Sequence, residues 1–227
     1  MSTVDGGDRI RLGVSACLLG EPVRYDGQHK LDLYLRDVLG RHVDFVPVCP
    51  EVECGFPVPR PAFRLTDDPN HPRLVVAATG EDVTERMLSW AQARVRALAS
   101  AGLSGFVFKS GSPSSGMERV RVYDGHGVPV KRGVGLFARA FMEHFPDLPV
   151  EDEGRLQDPG LRENFIERLF AMKRWQGFVA ADGSVGGLVA FHASHKLLIM
   201  SHSVEHYRSL GRLVAGGRGL PPNELLT

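Results

Sequence analysis

Two of the chain's three cysteines, Cys49 and Cys54, lie five residues apart in the stretch PVCPEVECGFPVPRP at 47–61, and the third, Cys17, ends an apolar run upstream. Thiolates bind zinc and iron–sulfur clusters, so Cys17, Cys49 and Cys54 are candidate ligands of a metal group. Three thiolates would leave one iron of a [4Fe–4S] cube without a protein ligand, an open Lewis-acid position. The spacing, with 31 and then 4 residues between successive cysteines, is not by itself a signature of either kind of site. A cysteine taken alone reads as a small buried hydrophobe. Glu51, two residues after Cys49, suits a general acid/base, and an anionic neighbour would raise its proton affinity. Glu53 reads as a solvated glutamate.

Strand ends must position these groups. Val43–Val48 is short, apolar and β-branched, as is the run Ile10–Leu19, and each reads as a buried strand ending at or near a cysteine. Between them EPVRYDGQHK is a turn region, and Leu31–Leu39 has apolar residues at helical spacing. Such a β-loop-α-β unit makes a parallel sheet, so both strand ends face one sheet edge, where open α/β sheets bind ligands. The prolines after Cys49 suit neither a helix interior nor a central strand, which predicts a stiff loop for Cys49, Glu51 and Cys54. Further on, Leu74–Ala78 predicts a short edge strand and Thr84 a helix cap for a helix to about Ala99. The run GFVFK at 105–109 predicts a third buried strand, and the loop SGSPSSG follows it. Ser112, Ser114 and Ser115 of that loop suit a small polar ligand. Val120–Tyr123 predicts a strand and 134–145 a helix. Arg24, Lys30, Arg60 and Lys109 flank the same loops and would balance an anionic cofactor or substrate.

The acidic, proline-bearing segment 146–159 resembles an inter-domain linker. Beyond it the pattern turns helical, with one helix over 161–176 and a second over about 188–214. The second places His192, His195, His202 and His206 within a sector of about 80°. Ile199, Leu210 and Leu213 share that sector, which reads as a packed inter-helix face rather than a metal site. From Leu161 onward there are eight Lys or Arg against five Asp or Glu, a slight basic surplus compatible with an RNA-contacting face. The whole chain balances 27 basic with 27 acidic residues, so broad polycation behaviour is excluded. An odd, sparse cysteine set is unlike a secreted disulfide framework. No apolar run approaches the roughly 20 residues that span a bilayer, and MSTVDGGDR lacks a signal peptide's apolar region. A cytoplasmic protein without a membrane partner is expected.

Three ordered motifs, SACLLGEPVRYDGQHK at 15–30, PVCPEVECGFPVPRP at 47–61 and KSGSPSSGMERV at 109–120, resemble the family of bacterial thiouracil desulfidases over about residues 8–150. The region from 161, with ENFIERLF and LVAFHASHKLLIMSHSVEHYRSLGRLVA, is similar to the helical domain often fused to that family. That domain usually continues through further helices, so a shortened form is expected here. The resemblance implies an α/β fold with a Rossmann-like open, mostly parallel sheet, followed by a small all-α domain. It gives residues 1–150 as the desulfidase domain, 151–160 as linker and 161–227 as the helical domain.

The resemblance also implies a [4Fe–4S] cluster with one iron not ligated by protein, and chemistry by a glutamate and a serine. By position Cys17 and Cys49 match two cluster ligands, Glu51 the glutamate and Ser112 the serine. The family's commoner SPSCG reads SPSSG here, with Ser115 in the cysteine's place, so Cys54 is expected to supply the third ligand. Ser114, Ser115, Lys109 and Arg24 are then expected to bind substrate, and Lys196, Arg208 and Arg212 to contact transfer RNA. The expected function is removal of sulfur from a thiolated pyrimidine, foremost 4-thiouridine in transfer RNA, with free thiouracil as the alternative. An iron–sulfur redox sensor or a structural zinc protein would use the same cysteines without turnover.

Overall fold

The computed structural model describes residues 9–181 and 183–217, and the chain divides into two compact units, Met1–Phe170 and Ala171–Thr227. In the first unit, strand β1 (Ile10–Ser15) leads through a 3-10 turn, Ala16–Leu19, to β2 (Val43–Val48). A one-turn helix, α1 (Pro50–Glu53), precedes β3 (Phe63–Asp68), β4 (His71–Val76) and helix α2 (Thr84–Ala99). Then come β5 (Leu103–Phe108), β6 (Val120–Tyr123), β7 (Pro129–Gly133), helix α3 (Leu136–His144) and β8 (Val150–Asp152).

The predicted parallel sheet is present, with strand order β2-β1-β5-β8 and every pair parallel. A sheet of this kind is covered on both faces, which is why β5 is buried along its whole length. One face packs Phe106 and Phe108 against Phe137 and Phe141 of α3 and Ala91, Val95 and Leu98 of α2. The opposite face packs Leu12, Val14, Val107, Leu35 and Leu39 together with Leu156, Phe165 and Leu169. Gly13 is required in β1 because a Cβ there would lie 2.2 Å from the Phe106 ring.

A second sheet, β4-β3-β6-β7, is mixed, with β3 parallel to β6 and the outer pairs antiparallel. Leu65, Leu74, Val120 and Val122 of this sheet pack on Met87 and Leu136.

Several local expectations change. Leu31–Leu39 is not an α-helix: Tyr34–Val38 is π-helical and Leu39–Arg41 a 3-10 turn, with Leu35 and Leu39 buried. Thr84 does not cap α2. Its hydroxyl accepts the Leu74 N–H at 2.8 Å, and Asp82 accepts the Thr84 N–H at 2.9 Å.

The segment 151–160, expected as a linker, completes β8 and buries Leu156. Its acids are structural: Asp152 Oδ1 accepts the Gly154 and Arg155 N–H groups, each at 2.9 Å, and Glu151 pairs with Arg155 at 2.6 Å. The unit boundary falls at Phe170, inside helix α4 (Pro159–Ala181), whose Phe165 and Leu169 belong to the first core.

In the second unit the expected helix over 188–214 is three helices: α5 (Val185–Ser194), α6 (Lys196–His202) and α7 (Val204–Gly216). Ser203 has an extended backbone and breaks the run, its hydroxyl accepting the His206 N–H at 3.1 Å as the cap of α7. The four histidines therefore do not share one helix face. His192 stacks on Tyr207 with ring centroids 5.0 Å apart, and the buried His195 stacks on Phe191 at 4.1 Å. Among the described residues no three His, Cys, Asp or Glu side chains form a group that could hold a metal ion.

Candidate active site

β1 and β2 are parallel neighbours with Ser15 opposite Val48, so their carboxyl ends are level. Cys17, two residues beyond Ser15, and Cys49, one beyond Val48, line one cavity of about 630 Å³. Burial pushes the Cys17 thiol up to about 11, and the neighbouring Cys49 adds to the shift while Lys109 and Arg24 oppose it. Burial raises the Cys49 thiol as well. Both are protonated at neutral pH, so a metal must displace their protons to bind.

Cys49 is the N-cap of α1 and Pro50 its first residue, the helix position where a missing N–H costs nothing. The stiff loop expected for these residues is thus a helical turn. Glu51 sits on it and lines the same cavity. One carboxylate oxygen, Oε2, accepts Arg60 Nε–H at 2.8 Å and a second bond from Arg60 Nη2; the other, Oε1, accepts the Ser114 hydroxyl at 2.9 Å. Arg60 is buried and also donates to the Val23 and Pro57 carbonyls, at 3.0 and 3.2 Å.

The serine loop follows β5. Ser112 Oγ accepts the N–H groups of Ser114 and Ser115, at 3.3 and 3.1 Å, and lies 3.0 Å from Ser114 Oγ. The N-terminus of α3 locks this loop, because the Ser114 carbonyl accepts the Phe137 and Ala138 N–H groups at 2.9 and 3.2 Å. Gly135 permits that approach: a Cβ there would lie 2.6 Å from the Ser114 carbonyl. Ser112, Ser114 and Ser115 all line the cavity, Ser114 and Ser115 being buried.

Of the predicted substrate-binding cations, Lys109 lines the cavity but is anchored, its Nζ 2.5 Å from Glu153 and 2.9 Å from the Ser110 carbonyl. Arg24 lines it too, 3.5 Å from Asp26, with a buried Nε that has no hydrogen-bond partner among the described residues.

Cys54 does not join Cys17 and Cys49. It is absent from the cavity wall, its Sγ donates to the Arg86 carbonyl at 3.5 Å, and it packs against the core that holds Leu65, Leu74 and Met87. The reason is local: Cys49 is the extended N-cap and Cys54 the C-cap of α1, so the one-turn helix stands between them. Lys196, Arg208 and Arg212 lie in the second unit, all exposed, with Lys196 Nζ 5.8 Å from the Tyr207 ring centroid.

Two site residues were not singled out by the sequence. Arg60, read there only as a balancing cation, grips Glu51. Glu53, read as solvated, accepts the Cys49 N–H at 3.0 Å and pairs with Arg94 at 2.9 Å, which fixes the start of α1. No capping box marks it in the sequence, since the N-cap is a cysteine and Glu53 stands four residues after it. Arg64, Arg121 and Tyr123 of the second sheet also line the cavity, a contribution that depends on tertiary structure alone.

The donor set fits a sulfur-ligated metal group in part: Cys17 and Cys49 present two thiols to the cavity, with a carboxylate and serine hydroxyls on the same wall.

A cavity at the carboxyl edge of a parallel sheet, lined by thiols, a gripped carboxylate and several cations, defines an α/β protein built to bind and transform a small polar or anionic ligand. The 2-thiouracil desulfurase family model matches residues 12–153, more than half of the chain, and the chain belongs to that family. It is similar to the [4Fe–4S]-dependent thiouracil desulfidase TudS at 34% identity and a TM-score of 0.55, over 69% of this chain and 97% of that one. It is also 32% identical to the uncharacterized protein YbbK of Bacillus subtilis (strain 168) over 108 residues, 45% of this chain and 71% of that protein.

Proposed function

We propose that the chain is an iron–sulfur desulfidase that hydrolyses the thiocarbonyl of a thiolated pyrimidine, with 4-thiouridine in transfer RNA as its preferred substrate. The observation that carries this reading is the shared cavity, where Cys17 and Cys49 lie on the same wall as a Glu51 gripped by Arg60 and Ser114. Cys17 and Cys49 would hold the cluster, which when bound supplies a Lewis acid with affinity for the substrate's sulfur.

The chain's own groups do the proton work. A water attacks the thiocarbonyl carbon and Glu51 takes its proton, Oε1 being the oxygen not held by Arg60. The C–S bond then breaks, carbonyl replaces thiocarbonyl, and sulfur leaves as sulfide, so no external reductant is consumed. Ser112 orients the ring.

The choice of RNA rests on charge. Lys30, Arg64 and Arg121 line the cavity without an acidic partner among the described residues, and a phosphate-bearing substrate would supply one. Lys196, Arg208 and Arg212 are the proposed further phosphate contacts in the helical unit. The three cavity contacts alone give log(kcat/KM) on 4-thiouridine transfer RNA a slope of about −2 against log[salt], and the contacts of the helical unit make it steeper. Turnover of free thiouracil should be nearly independent of salt. Equal salt dependence on both substrates refutes the RNA assignment. Free thiouracil is the second reading, favoured by a cavity of about 630 Å³ that takes one pyrimidine without help from the second unit. The assay uses anaerobically purified chain. Loss of sulfide release on both substrates in a fully iron-loaded sample refutes the desulfidase reading itself.

A further inference from the structure

The cavity presents two thiols where a cube with one open iron needs three protein ligands, and Cys54 faces away from it. Resting on the iron–sulfur reading above, we infer that Ser115 Oγ is the third ligand, giving a cluster held by two thiolates and one alkoxide.

The inference follows from which oxygen donors on the wall are already engaged. Glu51 is held by Arg60 and Ser114. Ser112 and Ser114 are bonded to each other, and Ser114 to Glu51. Ser110 Oγ bonds Glu153 at 2.7 Å, and Ser15 Oγ accepts the Lys109 N–H at 2.9 Å. Tyr25 is 43% exposed under Arg24, and Tyr123 lies beneath Arg64. Ser115 differs from all of these. It is 4% exposed, lines the cavity, and its hydroxyl makes no hydrogen bond among the described residues. Its Oγ is not one of the buried unpartnered atoms, so it opens to the cavity, where a group bound on the thiol-bearing wall can reach it.

The backbone around Ser115 is fixed for such a task. Its N–H is bonded to Ser112 Oγ, its neighbour Ser114 is held by α3, and Gly116 N–H donates to the Ser112 carbonyl at 2.8 Å. Only the side chain is left unassigned. Ligation exchanges the Ser115 O–H bond for an iron–oxygen bond, and its proton leaves to solvent with those of Cys17 and Cys49. Lys109 and Arg24, beside Cys17, offset the added negative charge.

The test reconstitutes the full chain anaerobically as wild type, Ser115→Ala, Ser115→Cys and Cys54→Ala, reading iron and sulfide per chain and the visible absorption spectrum. Ser115→Ala should fall at least about tenfold in cluster affinity, since even residues that only support ligands cost that much. Circular dichroism of the metal-free variant should stay unchanged, because the fold uses only the Ser115 backbone. Ser115→Cys should keep a full cluster with stronger thiolate-to-iron absorption, and Cys54→Ala should match wild type. A Ser115→Ala protein with the wild-type spectrum and affinity overturns the inference, as does a Ser115→Cys spectrum identical to wild type. Loss of the cluster in Cys54→Ala with retention in Ser115→Ala returns the third place to Cys54. A wild-type chain that binds no iron overturns the iron–sulfur reading itself, and this inference with it.

Discussion

Arg60 is the residue on which the site's geometry most depends, and removing it gives a measurable signature. Its side chain is 3% exposed and that of Glu51 14%, so Arg60→Met leaves a carboxylate desolvated without its cation. Breaking a buried pair in this way costs about 3–5 kcal/mol, against about 0–1 kcal/mol for an exposed pair. At about 2–4 °C per kcal/mol for a unit of this size, the midpoint should fall by about 6–20 °C. Glu51→Met should cost a similar amount by stranding the guanidinium. The double variant should cost no more than the worse single one, which makes the coupling energy about 3 kcal/mol or more. Urea unfolding of the metal-free protein measures this, with Trp90 reporting the first unit once Trp175 is replaced by Phe. Trp90 is a suitable reporter because its ring packs 5.4 Å from that of Phe137 in the core. A loss below about 1 kcal/mol for Arg60→Met, or strict additivity in the double variant, would refute the account of Glu51 as a carboxylate gripped by a buried guanidinium.

Two further outcomes follow from the same geometry. Glu51→Gln keeps the bond to Ser114 but removes the base, so iron content should hold while turnover drops by about 10²–10⁴-fold; unchanged turnover in a loaded sample moves the base elsewhere. The metal-free protein should weaken in alkali. Cys17 rises from an ordinary 9.0 to about 11 on folding, so the unfolded chain loses that proton first, and stability present below pH 9 is lost as pH climbs to about 11. Two units amount to about 2.7 kcal/mol, and Cys17→Ala should remove that part of the pH slope in urea midpoints.

The main sheet was legible because its strands are continuous apolar runs, as strands buried on both faces must be. Val43–Val48 lies where its apolar run predicts, β1 stops at Ser15 before a 3-10 turn over the rest of the predicted Ile10–Leu19, and β5 is Leu103–Phe108 against the predicted 105–109. In the second sheet β6 and part of β4 were predicted, while β3 and β7 were missed for the opposite reason. FRLTDD of β3 alternates over only four residues before two aspartates, and PVKRG of β7 is charged with four of its five residues exposed, so neither gives a sustained period of two. The segment 151–160 misled through composition. Its acids look solvated in sequence, yet Asp152 caps the turn after β8 and Glu151 holds Arg155, bonds that exist only once the strand is in place.

The site itself divides along the same line. Cys17, Cys49 and the serine loop could be placed because each directly follows a strand, and parallel neighbours bring their carboxyl ends to one edge. Cys54 could not, because closeness in sequence to Cys49 says nothing about direction once the intervening residues turn into a helix. The prolines that suggested an extended loop include Pro50, which instead starts that helix. A single turn of α1 thus separates two cysteines that look paired in the sequence, sending Cys49 to the cavity and Cys54 to the Arg86 carbonyl. The same turn places Glu51 on the cavity side and Glu53 under the Cys49 N–H. What separates Cys49 from Cys54 is therefore the one-turn helix between them, begun by Pro50 and held by Glu53. Glu53 accepts the Cys49 N–H and pairs with Arg94 of α2, so α2 braces the turn that carries Cys49.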